Sequence, residues 1–176
     1  MGVRIVEESR IVILEGEINQ AAASDVCYAL LIFESQEPRS PITLLIDSPG
    51  GDVSAGWRII DTLELVGAET ICVGLACSMA AMILASGIKG KRAALKHSRI
   101  MIHQPLVGAP MMQSADFEIA AAEMARSKRE LYEHISEHTG KKYEQIESDC
   151  DRDHWLTAEE ALDYGLIDYI VSKENR

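Results

Sequence analysis

The sequence has 176 residues, of which 47% are hydrophobic and 26% are charged, so a single globular domain over 1–176 is expected and wholesale disorder is excluded. Its 17 basic and 28 acidic residues give a net charge of −11, which repels polyanions and disfavours nucleic acid as a partner. The four cysteines form no CxxC motif and follow no secretory signal or transit peptide, which predicts reduced thiols in a cytoplasmic protein.

Short β-branched runs alternate with helical patterns along the chain, which predicts an α/β fold with crossover connections. The predicted strands cover 10–14, 42–46, 70–73, 99–103 and 167–171. The predicted helices cover 21–34, 55–65, 79–85 and 114–139, and Asn19 is suited to cap the first of them. A Thr-Ala-Glu-Glu capping box at 157–160 predicts a further short helix that ends at Gly165.

The longest predicted helix, 114–139, carries an apolar stripe along one face. Its members recur at spacings of three, four and seven: Phe117, Ala121, Met124, Leu131 and Ile135. The turn-forming residues 108–110 separate this helix from the strand before it. The stripe therefore predicts that this helix packs against another helix.

An uncharged stretch at 71–88 just reaches the length of a membrane-spanning helix. It begins with a β-branched run, is rich in alanine and is interrupted by Gly74, Ser78, Ser86 and Gly87. These features favour a buried strand followed by a helix, so no membrane association is expected.

Ser78 and His103 are the candidates for nucleophilic chemistry. Ser78 lies at a predicted strand-to-helix junction, where the next backbone N–H groups and the helix dipole favour an oxyanion. His103 ends an extended run, where loops gather at a sheet edge. Taken alone, each residue also has an ordinary structural explanation: Ser78 could be simply a helix cap, and His103 could have a structural role. Gly50 and Gly51 lack P-loop or dinucleotide-binding spacing, which favours a tight turn or an oxyanion-binding backbone.

Two groups of side chains imitate metal sites. His134 and His138 are one helical turn apart and could chelate zinc, but the sequence offers no third ligand near them. A calcium-loop template is matched in part, with histidine where its central glycine belongs, by Asp149, Asp151, Asp153 and Glu160. Glu160 is also the acidic member of the capping box, so no metal site is predicted.

Ordered motifs from about Arg10 to the C-terminus resemble the ClpP family, the proteolytic subunits of ATP-dependent Clp proteases. They are IDSPGGDV at 46–53, GLACSMA at 74–80, GKR at 90–92, SRIMIHQPL at 98–106, DRD at 151–153 and WLTA at 155–158. The resemblance implies a crotonase-like fold of stacked βαβ units with a protruding handle region at about 104–140. It also implies a serine endopeptidase with a triad of Ser78, His103 and Asp153, and an oxyanion hole of Gly51 and Met79.

The same resemblance implies two stacked seven-membered rings, joined through the handle, that enclose sites for peptides and unfolded proteins. Met124, Leu131 and Arg152 are the expected ring-to-ring contacts. No cofactor is expected in this subunit, because ATP is used only by a partner Clp ATPase of the AAA+ class.

Coupling to that ATPase is expected to be weak, with a possible need for a ClpP paralogue. Almost nothing precedes the first predicted strand, where family members carry an axial segment. Positions of the docking pocket that are often aromatic in relatives are Thr43, Leu45 and Leu65 here. Two other functions stay open: an acyl-CoA enzyme of the crotonase group, and a catalytically minor ring subunit that supports a paralogue.

Overall fold

The chain alternates strands with helices around one eight-stranded sheet, in a computed structural model that describes residues 2–106 and 113–172. The strands are β1 Val3–Val6, β2 Ile11–Glu15, β3 Thr43–Ser48, β4 Glu69–Cys77, β5 Arg92–Leu95, β6 Arg99–Ile102, β7 His154–Thr157 and β8 Tyr169–Val171. The helices are α1 Gln20–Gln36, α2 Val53–Val66, α3 Met79–Ala85, α4 Ser114–Thr139, α5 Tyr143–Asp149 and α6 Ala158–Tyr164.

The sheet is built from parallel crossover units. Strands β2, β3, β4 and β5 lie side by side and parallel, with α1, α2 and α3 as the first three connections. Strand β8 extends this sheet beyond β5, and β1 pairs antiparallel at its opposite edge. The predicted α/β architecture of successive βαβ units is therefore confirmed.

Local sequence signals set the helix ends. The side chain of Asn19 accepts a hydrogen bond from the Ala22 N–H at 2.9 Å, and Asp52 accepts one from the Ala55 N–H at 2.7 Å. The capping box between Thr157 and Glu160 is present at α6, as predicted. Since such caps satisfy N–H groups that a helix leaves free, they fix where each helix begins.

The uncharged stretch at 71–88 forms most of β4 and the whole of α3. Every residue of α3 is buried, which explains its lack of charge without a membrane. No helix in the described part of the chain is long and apolar enough to cross a membrane.

Helix α4 divides into two halves that differ in burial. Phe117, near its beginning, is 60% exposed, whereas Leu131 is 7% and Ile135 is 1% exposed and both belong to the core. The expected contact of Leu131 with a second ring stays a prediction, although its own subunit already covers most of that side chain. The stripe members left for a partner are the exposed Phe117 and Ala121 and the half-buried Met124. Residues 107–112, including the expected chain break at 108–110, lie outside the described residues.

Four elements were not predicted: β1, β5, α5 and β7. Strand β1 is short and mostly exposed, and α5 buries only Ile146, so neither carries a full amphipathic period. Strand β4 extends to Cys77, beyond the predicted residue 73, and β8 begins at Tyr169 rather than 167.

Candidate active site

Strand register brings three distant segments together at one edge of the sheet. Ser78 directly follows β4, His103 directly follows β6 and Asp153 directly precedes β7. Strand β6 pairs parallel with the end of β4, Cys77 opposite Met101. It pairs antiparallel with β7, Ile102 opposite His154. The pairing therefore places the side chains of Ser78 and Asp153 on either side of the His103 ring.

The three side chains lie in series, with a hydrogen bond between Ser78 and His103 and an ion-pair contact between His103 and Asp153. The His103 Nε2 atom lies 2.9 Å from Ser78 Oγ, and its Nδ1 atom lies 3.3 Å from Asp153 Oδ1. A carboxylate only accepts hydrogen bonds, so Nδ1 carries the proton and Nε2 presents its lone pair to the serine hydroxyl. This tautomer is the one in which histidine can take the proton of a serine nucleophile.

Ser78 is held in a backbone conformation that L-residues rarely adopt. Its φ is 55° and its ψ is −125°, and its N–H donates to the Met101 carbonyl at 2.8 Å. Gly50 approaches so closely that a Cβ there would lie 2.8 Å from the Ser78 Cβ. A strained strand-to-helix turn of this kind exposes a nucleophilic hydroxyl. The neighbouring Cys77 is no rival nucleophile, because burial raises the pKa of its thiol to about 11.

Two backbone N–H groups beside Ser78 are unused by the fold. An isolated bridge joins Ile18, which follows β2, to Gly51 in the glycine turn. It uses the Gly50 carbonyl, which accepts from the Ile18 N–H, and the Asp52 N–H, which donates to the Ile18 carbonyl. No hydrogen bond found in the described residues uses the Gly51 N–H, which lies between them, or the Met79 N–H at the first position of α3. Both groups are thus available to an oxyanion.

A cavity of about 210 Å³ opens beside the triad. Ser78, Gly51 and His103 line one side of it, and apolar side chains line the rest: Met82, Met101, Leu106, Leu131, Tyr132 and Ile135. The hydroxyl of Tyr132 is the one fully buried side-chain polar atom in the described residues that lacks a hydrogen-bond partner. The cavity suits an apolar side chain of a bound substrate.

Gln104 is a site residue that the sequence analysis missed. Its N–H donates to the Cys150 carbonyl at 2.7 Å, and its side-chain amide donates to the Asp151 carbonyl at 2.8 Å. These bonds tie the loop that carries Asp153 to the strand that carries His103. The position of Gln104 next to His103 and before a proline was the available signal. Arg152, by contrast, is 86% exposed at its side chain, and within the described ranges its guanidinium bonds or pairs only with Asp151.

The calcium-loop template does not form a site. The Asp149 carboxylate accepts from the Tyr164 hydroxyl at 2.8 Å, Glu160 completes the capping box and Asp153 faces His103. These carboxylates therefore face different partners.

The histidine pair on α4 has a neighbour that sequence reasoning missed. Glu64 of α2 lies within reach of both His134 and His138, so the expectation that no third ligand lies nearby is wrong. The packing of α2 beside α4 brings the three side chains together, and no spacing within the sequence predicts it.

A serine hydrogen-bonded to a histidine, which in turn contacts an aspartate, next to two N–H groups with no partner in the described residues and an apolar cavity, defines a serine hydrolase site on an α/β fold. Residues 3–174 match the family model described as Clp protease. The chain is 49% identical over 169 residues to an ATP-dependent Clp protease proteolytic subunit of Porphyromonas gingivalis, covering 95% of this chain and 76% of that one. It is 50% identical over 168 residues to proteolytic subunit 3 of Parasynechococcus marenigrum, covering 94% and 84%. Proteolytic subunit 2 of Prochlorococcus marinus strain NATL2A is also 50% identical, over 165 residues, covering 93% and 82%. The chain belongs to the Clp protease family, and the crotonase-like fold expected from its motifs is the fold observed.

Proposed function

We propose that this chain is a serine endopeptidase that cleaves peptides and unfolded proteins as the proteolytic subunit of a Clp-type protease. The 2.9 Å contact between Ser78 Oγ and His103 Nε2 carries the proposal. Ser78 attacks the peptide carbonyl while His103 takes its proton, and Asp153 holds the imidazole in the required tautomer. The N–H groups of Gly51 and Met79 bind the negative oxygen of the tetrahedral intermediate. The chemistry requires no metal or cofactor in this subunit.

The contact also separates this proposal from its two alternatives. A crotonase-type acyl-CoA enzyme needs the oxyanion-binding backbone but no serine bonded to histidine. A catalytically minor ring subunit does not need its triad in register, whereas the strand pairing here aligns all three side chains.

Labelling with a fluorophosphonate probe tests the proposal directly. The probe should attach to Ser78 in the intact protein, with the site mapped by mass spectrometry, and the label should be lost in Ser78→Ala. The same variant should lose about 10⁶-fold in turnover of a fluorogenic peptide. Ser35→Ala, on the exposed side of α1, is the control and should keep both label and activity. An equally active Ser78→Ala protein would end the protease proposal.

We further propose assembly into two stacked seven-membered rings through the outer half of α4. The exposed Phe117 and the half-buried Met124 support a partner on this face, because an apolar stripe open to solvent is adhesive. The Arg152 guanidinium is exposed and contacts its neighbour Asp151, and its remaining N–H groups can pair with an acid of another subunit.

A Clp ATPase is the proposed partner for degrading folded proteins, with weak docking by this chain alone. At the expected docking pocket Leu65 is 76% exposed, while Thr43 and Leu45 are partly exposed on β3. Leucine and threonine supply less anchor energy than aromatic residues. With cognate ATPase and ATP, a tagged folded substrate should be degraded slowly by this chain and faster when a companion ClpP ring is added. Rapid degradation by this chain alone would refute weak docking.

A cytoplasmic location completes the proposal. All four cysteines are buried and free, as expected for a protein kept in a reducing compartment.

A further inference from the structure

Three possible metal ligands lie close together near the C-terminal end of α4. They are Glu64 of α2 and His134 and His138 of α4. One carboxylate oxygen and one nitrogen of each imidazole lie within 4.8 Å of one another. Glu64 Oε1 is 3.5 Å from His138 Nε2, and the two imidazole centroids are 4.3 Å apart. Two histidines one turn apart on a helix are also the arrangement by which zinc peptidases hold their metal.

The buried His134 ring is oriented by a neighbour outside the cluster. Its Nε2 atom lies 2.7 Å from Ser86 Oγ, and the Ser86 hydroxyl donates to the Met82 carbonyl at 2.8 Å. A hydroxyl has one proton, so Ser86 accepts from the Nε2–H and the lone pair of Nδ1 is left for a cation. The edge of Trp57 packs against the same ring at 5.1 Å. Metal-binding histidines are typically held by such a bond on their second nitrogen.

The charges around the cluster suit a dication. Glu64 supplies a carboxylate that is partly open to solvent. The nearby cation, Arg92, is paired with Asp168 at 2.7 Å.

We propose that Glu64, His134 and His138 form a binding site for a divalent transition metal of the zinc class. A tetrahedral zinc with bonds of about 2.0–2.1 Å separates its ligand atoms by about 3.4 Å, and the Glu64–His138 pair already has that spacing. The ligand atoms already lie within 4.8 Å of one another, and a bound ion would draw them to this spacing, with water at the fourth position on the open side of Glu64. The bound ion would join α2 to α4, whose residues Leu131 and Ile135 line the cavity beside Ser78.

The test uses the full chain, stripped with a chelator and then titrated with Zn²⁺ or Co²⁺. We expect saturable binding, the strong visible absorption of four-coordinate cobalt, and a rise in the unfolding midpoint. At a metal concentration of 100 times the dissociation constant the rise should be about 5–10 °C. Ser86→Ala, which removes the partner of His134, should weaken binding by about 10–100-fold. Glu64→Gln and His138→Ala, which remove ligands, should weaken it by more.

Matched controls distinguish metal binding at this cluster from metal binding elsewhere on the protein. Asp61→Asn, on the same helix as Glu64, and His97→Ala, at an exposed histidine outside the cluster, should bind as the parent does. His103→Ala, which removes the triad imidazole, should also keep the cobalt absorption. The proposal is overturned if Zn²⁺ shows no saturable binding below about 0.1 mM, or if affinity is unchanged in both Glu64→Gln and His138→Ala. Both outcomes are independent of peptidase activity.

Discussion

Replacing Gly51 with alanine should disable catalysis while leaving the triad in place. A Cβ at Gly51 would lie 2.2 Å from the Ile18 carbonyl oxygen and 2.8 Å from the Ile18 nitrogen. Both are backbone atoms of the strand-side bridge, so they cannot rotate away. Contacts to a real Cβ almost never fall below 3.0 Å, so the Gly51 peptide must move by about 0.8 Å or more. Since an oxyanion donor works at about 2.7–3.1 Å from its target, such a shift removes one donor, which costs about 10²–10³-fold in kcat.

Steady-state hydrolysis of a fluorogenic peptide checks this prediction. We expect kcat to fall and KM to change little, because the donor acts mainly on the transition state. Gly90→Ala is the matched control: Gly90 also has a positive φ, of 89°, but nothing lies within 4 Å of a Cβ there. It should share the backbone strain and keep its turnover. A Gly51→Ala protein with parental kcat would refute the placement of the oxyanion hole.

Three further predictions follow from contacts described above. Asp153→Asn should lose about 10³–10⁴-fold in kcat through the wrong imidazole tautomer, whereas Asp151→Asn, at an exposed neighbour, should keep nearly full rate; equal rates for the two would contradict the triad. The double variant Met124→Glu, Phe117→Glu should lower the particle mass in light scattering without loss of helix content. The control Ala122→Glu, on another face of α4, should leave the particle mass unchanged. An unchanged mass in the double variant would argue against assembly through α4. Asp168→Asn should lower the free energy of unfolding by about 3–5 kcal/mol in chemical unfolding, because it leaves the buried Arg92 guanidinium without its carboxylate partner. The control Glu69→Gln, at the exposed ion-pair partner of Lys91, should lower it by under about 1 kcal/mol. Similar losses in the two variants would contradict the argument from burial.

Local signals in the sequence predicted most of the helices and the parallel strands. The caps at Asn19 and Thr157 are short-range features, and α3 and α4 have the bounds expected. The approach of Ser78 to His103 could not be derived from spacing, because it depends on the register of β4 against β6. Only the family resemblance placed Asp153 with them.

Long-range packing set what the sequence could not indicate. The apolar stripe of α4 reads as one continuous face, yet the body of the subunit covers Leu131 and Ile135 and leaves Phe117 uncovered. The convergence of Glu64 with His134 and His138 likewise depends on how two helices cross. The spacing of apolar residues predicts that a helix face will be buried. Whether its own subunit or a partner subunit buries that face depends on tertiary packing.

Helix α4 has the geometry of a lever, because its C-terminal half packs against the core and its N-terminal half is exposed. Its 26 residues span about 39 Å, and its C-terminal part packs against the core, where Leu131 and Ile135 border the cavity. If the helix pivots near Gly140, a sideways movement of about 3 Å at its outer end displaces Leu131 by about 1 Å. A shift of that size beside a reacting group is enough to change a rate about 100-fold. A force that displaces the exposed half of α4 would therefore change the shape of the substrate cavity.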